Sequence, residues 1–149
     1  LAPFKKTFRS RVQMMMTAHI KFKNIDPEWP VTLSEIFLKK IARQELKYRG
    51  LIITDDLDMK AMVKHYDKDK IPVRALFAGT DLLLYCNEPD SPPKAIEAIE
   101  KAIESGELKL TDLETTKKNI LVVKKEYLLN PDPMSFDAAV KIIGHPDHF

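Results

Sequence analysis

The sequence predicts an α/β fold. Three observations carry this: three continuous apolar runs of strand length, at residues 12–20, 51–54 and 81–86; amphipathic segments with helix-start signals between and after them; and an ordinary globular composition, 44% apolar and 31% charged over 149 residues. Apolar runs without alternation are what strands buried on both faces look like, and strands separated by helices make parallel βαβ units.

The first run, VQMMMTAHI, lacks the polar residue per turn that a surface helix would carry, so it reads as a buried strand ending at His19. After the proline-rich loop 26–30, Thr32-Leu33-Ser34-Glu35 has the form of a capping box, which predicts a helix with Ile36, Phe37, Ile41 and Leu46 inward. Lys39, Lys40, Arg43 and Lys47 would cover its solvent side, and Gly50 would stop it. Leu51-Ile52-Ile53-Thr54 reads as the second buried strand, running into the acids Asp55, Asp56 and Asp58.

Residues 73–77 predict a short apolar helix closed by Ala78-Gly79, and Asp81 opens a third buried strand that ends at Cys86. Ser91-Pro92-Pro93 supplies a cap followed by proline in a first turn; Ile96, Ile99 and Ile103 would line the inner face, with Gly106 as the stop. Thr111-Asp112-Leu113-Glu114 is a second capping-box pattern, opening a helix to about Leu129, and Pro131 and Pro133 break the chain after it. No internal repeat is visible. Three strands make a small open sheet with bare edges, whereas a complete (β/α)8 barrel takes about 250 residues. The chain is therefore either a small α/β domain or part of a barrel.

Composition removes several function classes. With 24 Lys+Arg against 22 Asp+Glu there is no single-sign field to support general nucleic-acid binding. The one cysteine, Cys86, cannot form an internal disulfide or a cysteine metal site, which fits a reducing compartment, and at the end of a buried strand it reads as a small apolar residue. No apolar run approaches the roughly 20 residues of a membrane helix. The start, Leu-Ala-Pro-Phe-Lys-Lys, has no initiator Met and no signal-type stretch, and reads as a beginning in mid-sequence.

Functional groups of parallel α/β folds lie just past the carboxyl ends of the strands. Here those positions hold His19, then Asp55 and Asp56, then Asn87 and Glu88. Side chains alternate along a strand, so one of the paired aspartates should face the rim while the other braces a loop. On residue chemistry alone Asp55 reads either as a cap for the next helix or as a catalyst. Asp58 reads as a cap for the helix around residues 59–63, and a Mg2+ site on Asp55, Asp56 and Asp58 is a further reading, though no phosphate-binding glycine loop accompanies it. Met14, Met15 and Met16 read as barrel filling, and Trp29 either packs on its loop's prolines or offers a ring for a ligand to stack on. Among the four histidines only His19 lies near the expected pocket.

Residues 44–59, QELKYRGLIITDDLDM, resemble the segment of glycoside hydrolase family 3 that runs through a glycine into the strand bearing the nucleophilic aspartate. Their D-D-L-x-M ending is similar to the bacterial beta-N-acetylhexosaminidase branch. Leu1-Ala2-Pro3-Phe4 resembles the family's L-x-P-F segment, Thr17-Ala18-His19-Ile20 its A-H-[IV] strand end, and Pro30-Val31-Thr32-Leu33-Ser34 its P-A-T-x-S helix start, with Val31 in place of Ala. Ala75 to Leu84 resembles its A-x-x-A-G-x-D strand start, and order and spacing agree to about Asn87.

The resemblance implies the C-terminal part, about three βα units, of a TIM (β/α)8 barrel over residues 1–130, with 131–149 as a C-terminal tail. It implies Asp55 as nucleophile and no metal or organic cofactor; His19, at the rim, reads equally as a hydrogen-bonded structural histidine or as a substrate-binding residue. The implied activity is retaining hydrolysis of terminal beta-linked N-acetylglucosamine from wall fragments, in cytoplasmic peptidoglycan recycling. The K-H-x-P-G-H-G strand and the His-Asp general acid/base of that branch would lie before Leu1, so the N-terminal part of the same barrel is an expected partner and these residues alone should be inactive. A beta-glucosidase of the same family, which more often carries S-D-W after the nucleophile, a Mg2+-dependent α/β domain and a non-catalytic interaction fragment are the alternatives.

Overall fold

The computed structural model describes residues 2–128 and 133–148. Helix α1 (Ala2–Arg9) leads into strand β1 (Met14–Met16). A 3-10 turn (Val31–Leu33) and a wide helix (Ile36–Glu45) then carry the chain back to strand β2 (Leu51–Ile53). Helices α2 (Lys60–Val63), α3 (Lys70–Ala78), α4 (Ser91–Glu104), α5 (Leu110–Leu128) and α6 (Phe136–Ile142) come next, with a last 3-10 turn at Pro146–His148. Leu1, the predicted helix end at Leu129 and the break at Pro131 lie outside the described residues.

Strands β1 and β2 pair in parallel, Met14 opposite Leu51 and Met16 opposite Ile53. The expected third strand is reduced to one parallel bridge between Ile53 and Leu82. The reason lies in the side chains: Leu84 N–H donates to Thr54 Oγ1 at 2.9 Å and Cys86 N–H to Asp56 Oδ1 at 3.1 Å, so side-chain oxygens take donors that a ladder would use. Cys86 is consequently exposed, not a buried apolar residue. The first run also departs from a strand covered on both faces. Met15 packs on the cluster of Leu38, Tyr48, Ile52 and Ala78, but Met14 and Met16 are 42% and 54% exposed on the other face.

The wide helix corrects the predicted stripe. It is wound with i→i+5 hydrogen bonds, as in Leu46 N–H to Ile41 O at 2.9 Å, so the 3.6-residue period does not apply. Leu38 and Ala42 face the core, Ile36 is exposed, and Arg43 turns inward. The left-handed residue after the helix is Lys47, at φ 56°, and not Gly50. Gly50 is needed for close approach: a Cβ there would stand 2.6 Å from the carbonyl oxygens of Val12 and Gln13. In α4 the inner face is Ala95, Ala98, Ile99, Ala102 and Ile103, while Ile96 points out. Gly79, at φ 108°, closes α3 as predicted.

Leu33, Leu57, Met62, Ile71 and Ala75 form one core cluster under the polar rim, with Trp29 and Tyr85 against it. Each fully buried Leu, Ile or Met there contributes about 1.5–3 kcal/mol. At the opposite end of the strands Asp81 Oδ2 accepts Arg43 Nη2 at 2.6 Å and the Ile52 N–H at 2.8 Å. Arg43 Nη1 also donates to Gly50 O at 2.5 Å, so one ion pair ties the wide helix, β2 and the third segment together. Burial pushes the Tyr48 phenol beside it up to about 12, with Arg43 pulling it down and Asp81 adding to the rise.

Two outcomes are expected. Asp81→Ala leaves Arg43 and the Ile52 N–H without their acceptor and lowers unfolding free energy by about 3 kcal/mol in a urea titration. Asp26, 4% exposed, accepts from Glu28 N–H, Trp29 N–H and the Ser34 hydroxyl. Burial works to raise its pKa, but the Ser34, Trp29 and Glu28 hydrogen bonds and the Arg74 charge together hold it below the ordinary 3.8. Its contribution is therefore complete above that value and lost as pH falls through the lower folded pKa. Asp26→Asn should cost about 1–3 kcal/mol at neutral pH and flatten the acid limb of stability against pH, read from chemical unfolding at a series of pH values.

Candidate functional site

The carboxyl ends of β1, β2 and the third segment lie together, and the two aspartates past β2 diverge as alternation requires. Asp55 is half-buried; its Oδ1 accepts the Asp56 N–H at 2.8 Å, and its Oδ2 accepts no hydrogen bond from the described residues. Asp56 is 6% exposed and turned into the protein. Its Oδ1 accepts the N–H groups of Asp58 at 3.0 Å and Cys86 at 3.1 Å, and its Oδ2 accepts Asn87 Nδ2. Asp56 thus braces the rim, and Asp55 keeps an oxygen free.

Asp58 does not cap α2, whose preceding residue Met59 makes no side-chain cap. Its carboxylate accepts Ser91 Oγ at 2.7 Å and Glu88 N–H at 3.2 Å, tying the start of α4 to the loop after β2. With Asp56 and Asp58 each turned onto N–H and O–H donors of the loop that follows Leu84, the three aspartates do not converge as the Mg2+ reading requires, and no metal-binding cluster occurs among the described residues.

His19 Nε2 lies 2.9 Å from the Asp56 carbonyl oxygen, and Nδ1 lies 2.8 Å from Thr32 Oγ1. A carbonyl can only accept, so Nε2 carries the proton and, in the neutral ring, Nδ1 accepts from Thr32. Thr32 Oγ1 in turn meets Thr17 Oγ1 at 2.9 Å. This chain explains why the capping box at Thr32 fails: the hydroxyl is fully buried and engaged with His19 and Thr17, so Ser34 Oγ accepts the Phe37 N–H at 3.3 Å instead. Glu35, expected to reach back, pairs with Lys39 at 2.9 Å.

Asn87 stands at the rim as its place at a strand end implies, whereas the parts that Thr17 and Thr32 play there are not legible in the local sequence. The one local signal is that Thr17 and His19 are two apart and so share a strand face. Trp29 stacks on Tyr66, with ring centroids 5.4 Å apart, under the Arg74 guanidinium at 4.7 Å. Burial and the charges of Asp58 and Asp56 raise the pKa of Tyr85. A cavity of about 160 Å³ is bordered by Asp58, Tyr85, Ser91 and Lys94, and a larger groove of about 480 Å³ runs between α3 and α4. Asp55 lines neither and stands on the open rim.

Among the described residues no helix is long and apolar enough to cross a membrane. The sequence pattern of the Glycosyl hydrolase family 3 N terminal domain matches residues 1–123. A Beta-hexosaminidase of Alkalilimnicola ehrlichii is 35% identical over 96 residues, 64% of this chain and 27% of its own length. One of Idiomarina loihiensis is 36% identical over 96 residues, 62% of this chain and 29% of its own. A solved glycoside hydrolase family 3 beta-N-acetylglucosaminidase from Paenibacillus sp. str. FPU-7 superposes with a TM-score of 0.85 at 31% identity, over 91% of this chain and 26% of that one. The Beta-glucoside phosphorylase BglX superposes with a TM-score of 0.84 over 97% of this chain and 28% of that one, but at 20% identity it speaks only for the fold. The chain thus spans less than a third of the length of the curated relatives it matches. By the match over residues 1–123 and by its α/β structure, the chain belongs to glycoside hydrolase family 3.

Proposed function

We propose that the chain supplies the nucleophile side of a retaining beta-N-acetylhexosaminidase, acting on terminal beta-linked N-acetylglucosamine, with Asp55 as the nucleophile. The observation that carries this is the Asp55 carboxylate at the end of β2, with one oxygen held by the Asp56 N–H and the other unbonded at an open rim. A nucleophilic carboxylate must stay ionised, which a hydrogen-bond donor favours, and must present one oxygen to the anomeric carbon. The free oxygen attacks that carbon as the bond to the leaving oxygen breaks; water then cleaves the glycosyl ester with net retention of configuration.

Retention also needs a proton donor on the other side of the leaving oxygen. None of the histidines fits: His65 is exposed on a charged stretch, His145 and His148 belong to the tail, and both ring nitrogens of His19 are engaged. The family resemblance implies a His-Asp acid/base, which is assigned with it to a part of the barrel outside these residues. The exposed Met14 and Met16 face of β1 supports the same reading, in which residues 1–130 complete a (β/α)8 barrel and 131–149 form a tail. His19 is read as a wall of the sugar subsite. The D-D-L-x-M sequence and the relatives named beta-hexosaminidase favour the hexosamine substrate over a glucoside, and wall-fragment recycling in the cytoplasm is the setting proposed with it.

The full-length gene product should cleave 4-nitrophenyl N-acetyl-beta-glucosaminide with retention, and Asp55→Asn should lower kcat on the order of 10³-fold or more, as loss of a nucleophile does elsewhere. Turnover by Asp55→Asn within a few-fold of the parent, or inverted product seen by NMR during hydrolysis, would rule the assignment out.

A further inference from the structure

We propose that Asp56 is a positioning residue for Asp55, and that Asn87 is the group that holds it in place. This rests on the nucleophile reading of Asp55. Asp56 touches all three strand ends at the rim. Its carbonyl oxygen accepts from His19 past β1, its carboxylate accepts from Cys86 and Asn87 past the third segment, and its N–H donates to Asp55 Oδ1 past β2. A buried carboxylate fixed by several donors has one orientation, so the N–H that orients the Asp55 carboxylate has one orientation too. Displacing a reacting group by about 1 Å costs about 10²-fold in rate.

The contact with Asn87 is the accessible part of this arrangement. Asn87 is exposed and donates through Nδ2, whereas the Cys86 and Asp58 donors are main-chain groups that substitution cannot remove. Polarity at the 56–87 contact can therefore be reversed without removing either main-chain donor. Asn87→Asp sets carboxylate against carboxylate and pushes the Asp56 side chain off its amides. Asp56→Asn alone is mild, because the Asn87 amide can turn its oxygen to the new donor while the introduced carboxamide oxygen still accepts from the two N–H groups. Asp56→Asn with Asn87→Asp restores a donor–acceptor pair in the opposite sense.

The experiment is steady-state hydrolysis of 4-nitrophenyl N-acetyl-beta-glucosaminide by the full-length gene product and these three variants across pH, with Asp55→Asn as control. Expected is a kcat for Asn87→Asp lower by about 10- to 100-fold with KM within about two-fold, and recovery in the double variant to within a few-fold of Asp56→Asn. The pH profile should keep its shape, because misplacement lowers the plateau whereas a charge effect on Asp55 displaces the acid limb. An unchanged kcat in Asn87→Asp, a double variant no better than Asn87→Asp, or a displaced acid limb with an intact plateau overturns the proposal while leaving Asp55 as nucleophile. An active Asp55→Asn, or a parent protein without this activity, overturns the nucleophile reading and this inference with it.

Discussion

The rim of this domain is held by side-chain oxygens that stand in for a β-ladder. Parallel strands this short leave main-chain N–H groups unpaired at their carboxyl ends, and a buried N–H without a partner costs about 1–3 kcal/mol. Thr54 Oγ1 takes the N–H of Leu84, and the Asp56 carboxylate takes those of Cys86 and Asp58. The third segment is thereby joined to β2 even though only one bridge connects them. Because the acceptors are side chains on alternating positions, the intervening Asp55 is turned to the other face, where its carboxylate is left with an open oxygen.

The amino-terminal ends of the strands are fixed by different means. Asp81 holds the Ile52 N–H and the Arg43 guanidinium, and Gly50 lets the chain pass against Val12 and Gln13 where any Cβ would collide. One end is thus a partly buried ion pair and a steric fit, the other a set of hydrogen bonds reaching the half-exposed rim. A scaffold closed at one end and polar at the other suits chemistry at strand ends: the closed end fixes strand register, and the polar end sets the angle of a single carboxylate.

The features legible in the sequence come from periodicity and from local motifs. The parallel pairing of two apolar runs, the closure of α3 at Gly79, and the divergence of Asp55 from Asp56 all depend on alternation or on a single backbone conformation. The features it conceals depend on partners far along the chain. Thr32 has every local mark of a helix cap, but its hydroxyl is claimed by His19, thirteen residues away. Asp58 sits where a cap belongs and instead holds Ser91, thirty-three residues on. Arg43 reads as solvated surface because its acceptor, Asp81, lies thirty-eight residues later. The helix over Ile36–Glu45 escapes for another reason: its i→i+5 winding changes the period on which an apolar stripe is read.

On the proposed function, the free oxygen of Asp55 forms a bond to an anomeric carbon. Its most direct measurement is mass spectrometry of the full-length gene product after reaction with a fluorinated N-acetylglucosaminyl substrate whose glycosyl-enzyme breaks down slowly. One added sugar is expected, on the peptide spanning residues 51–59, with fragment ions assigning it to Asp55. A sugar found on another carboxylate, or rapid turnover of that substrate with no covalent species at any time, would contradict it.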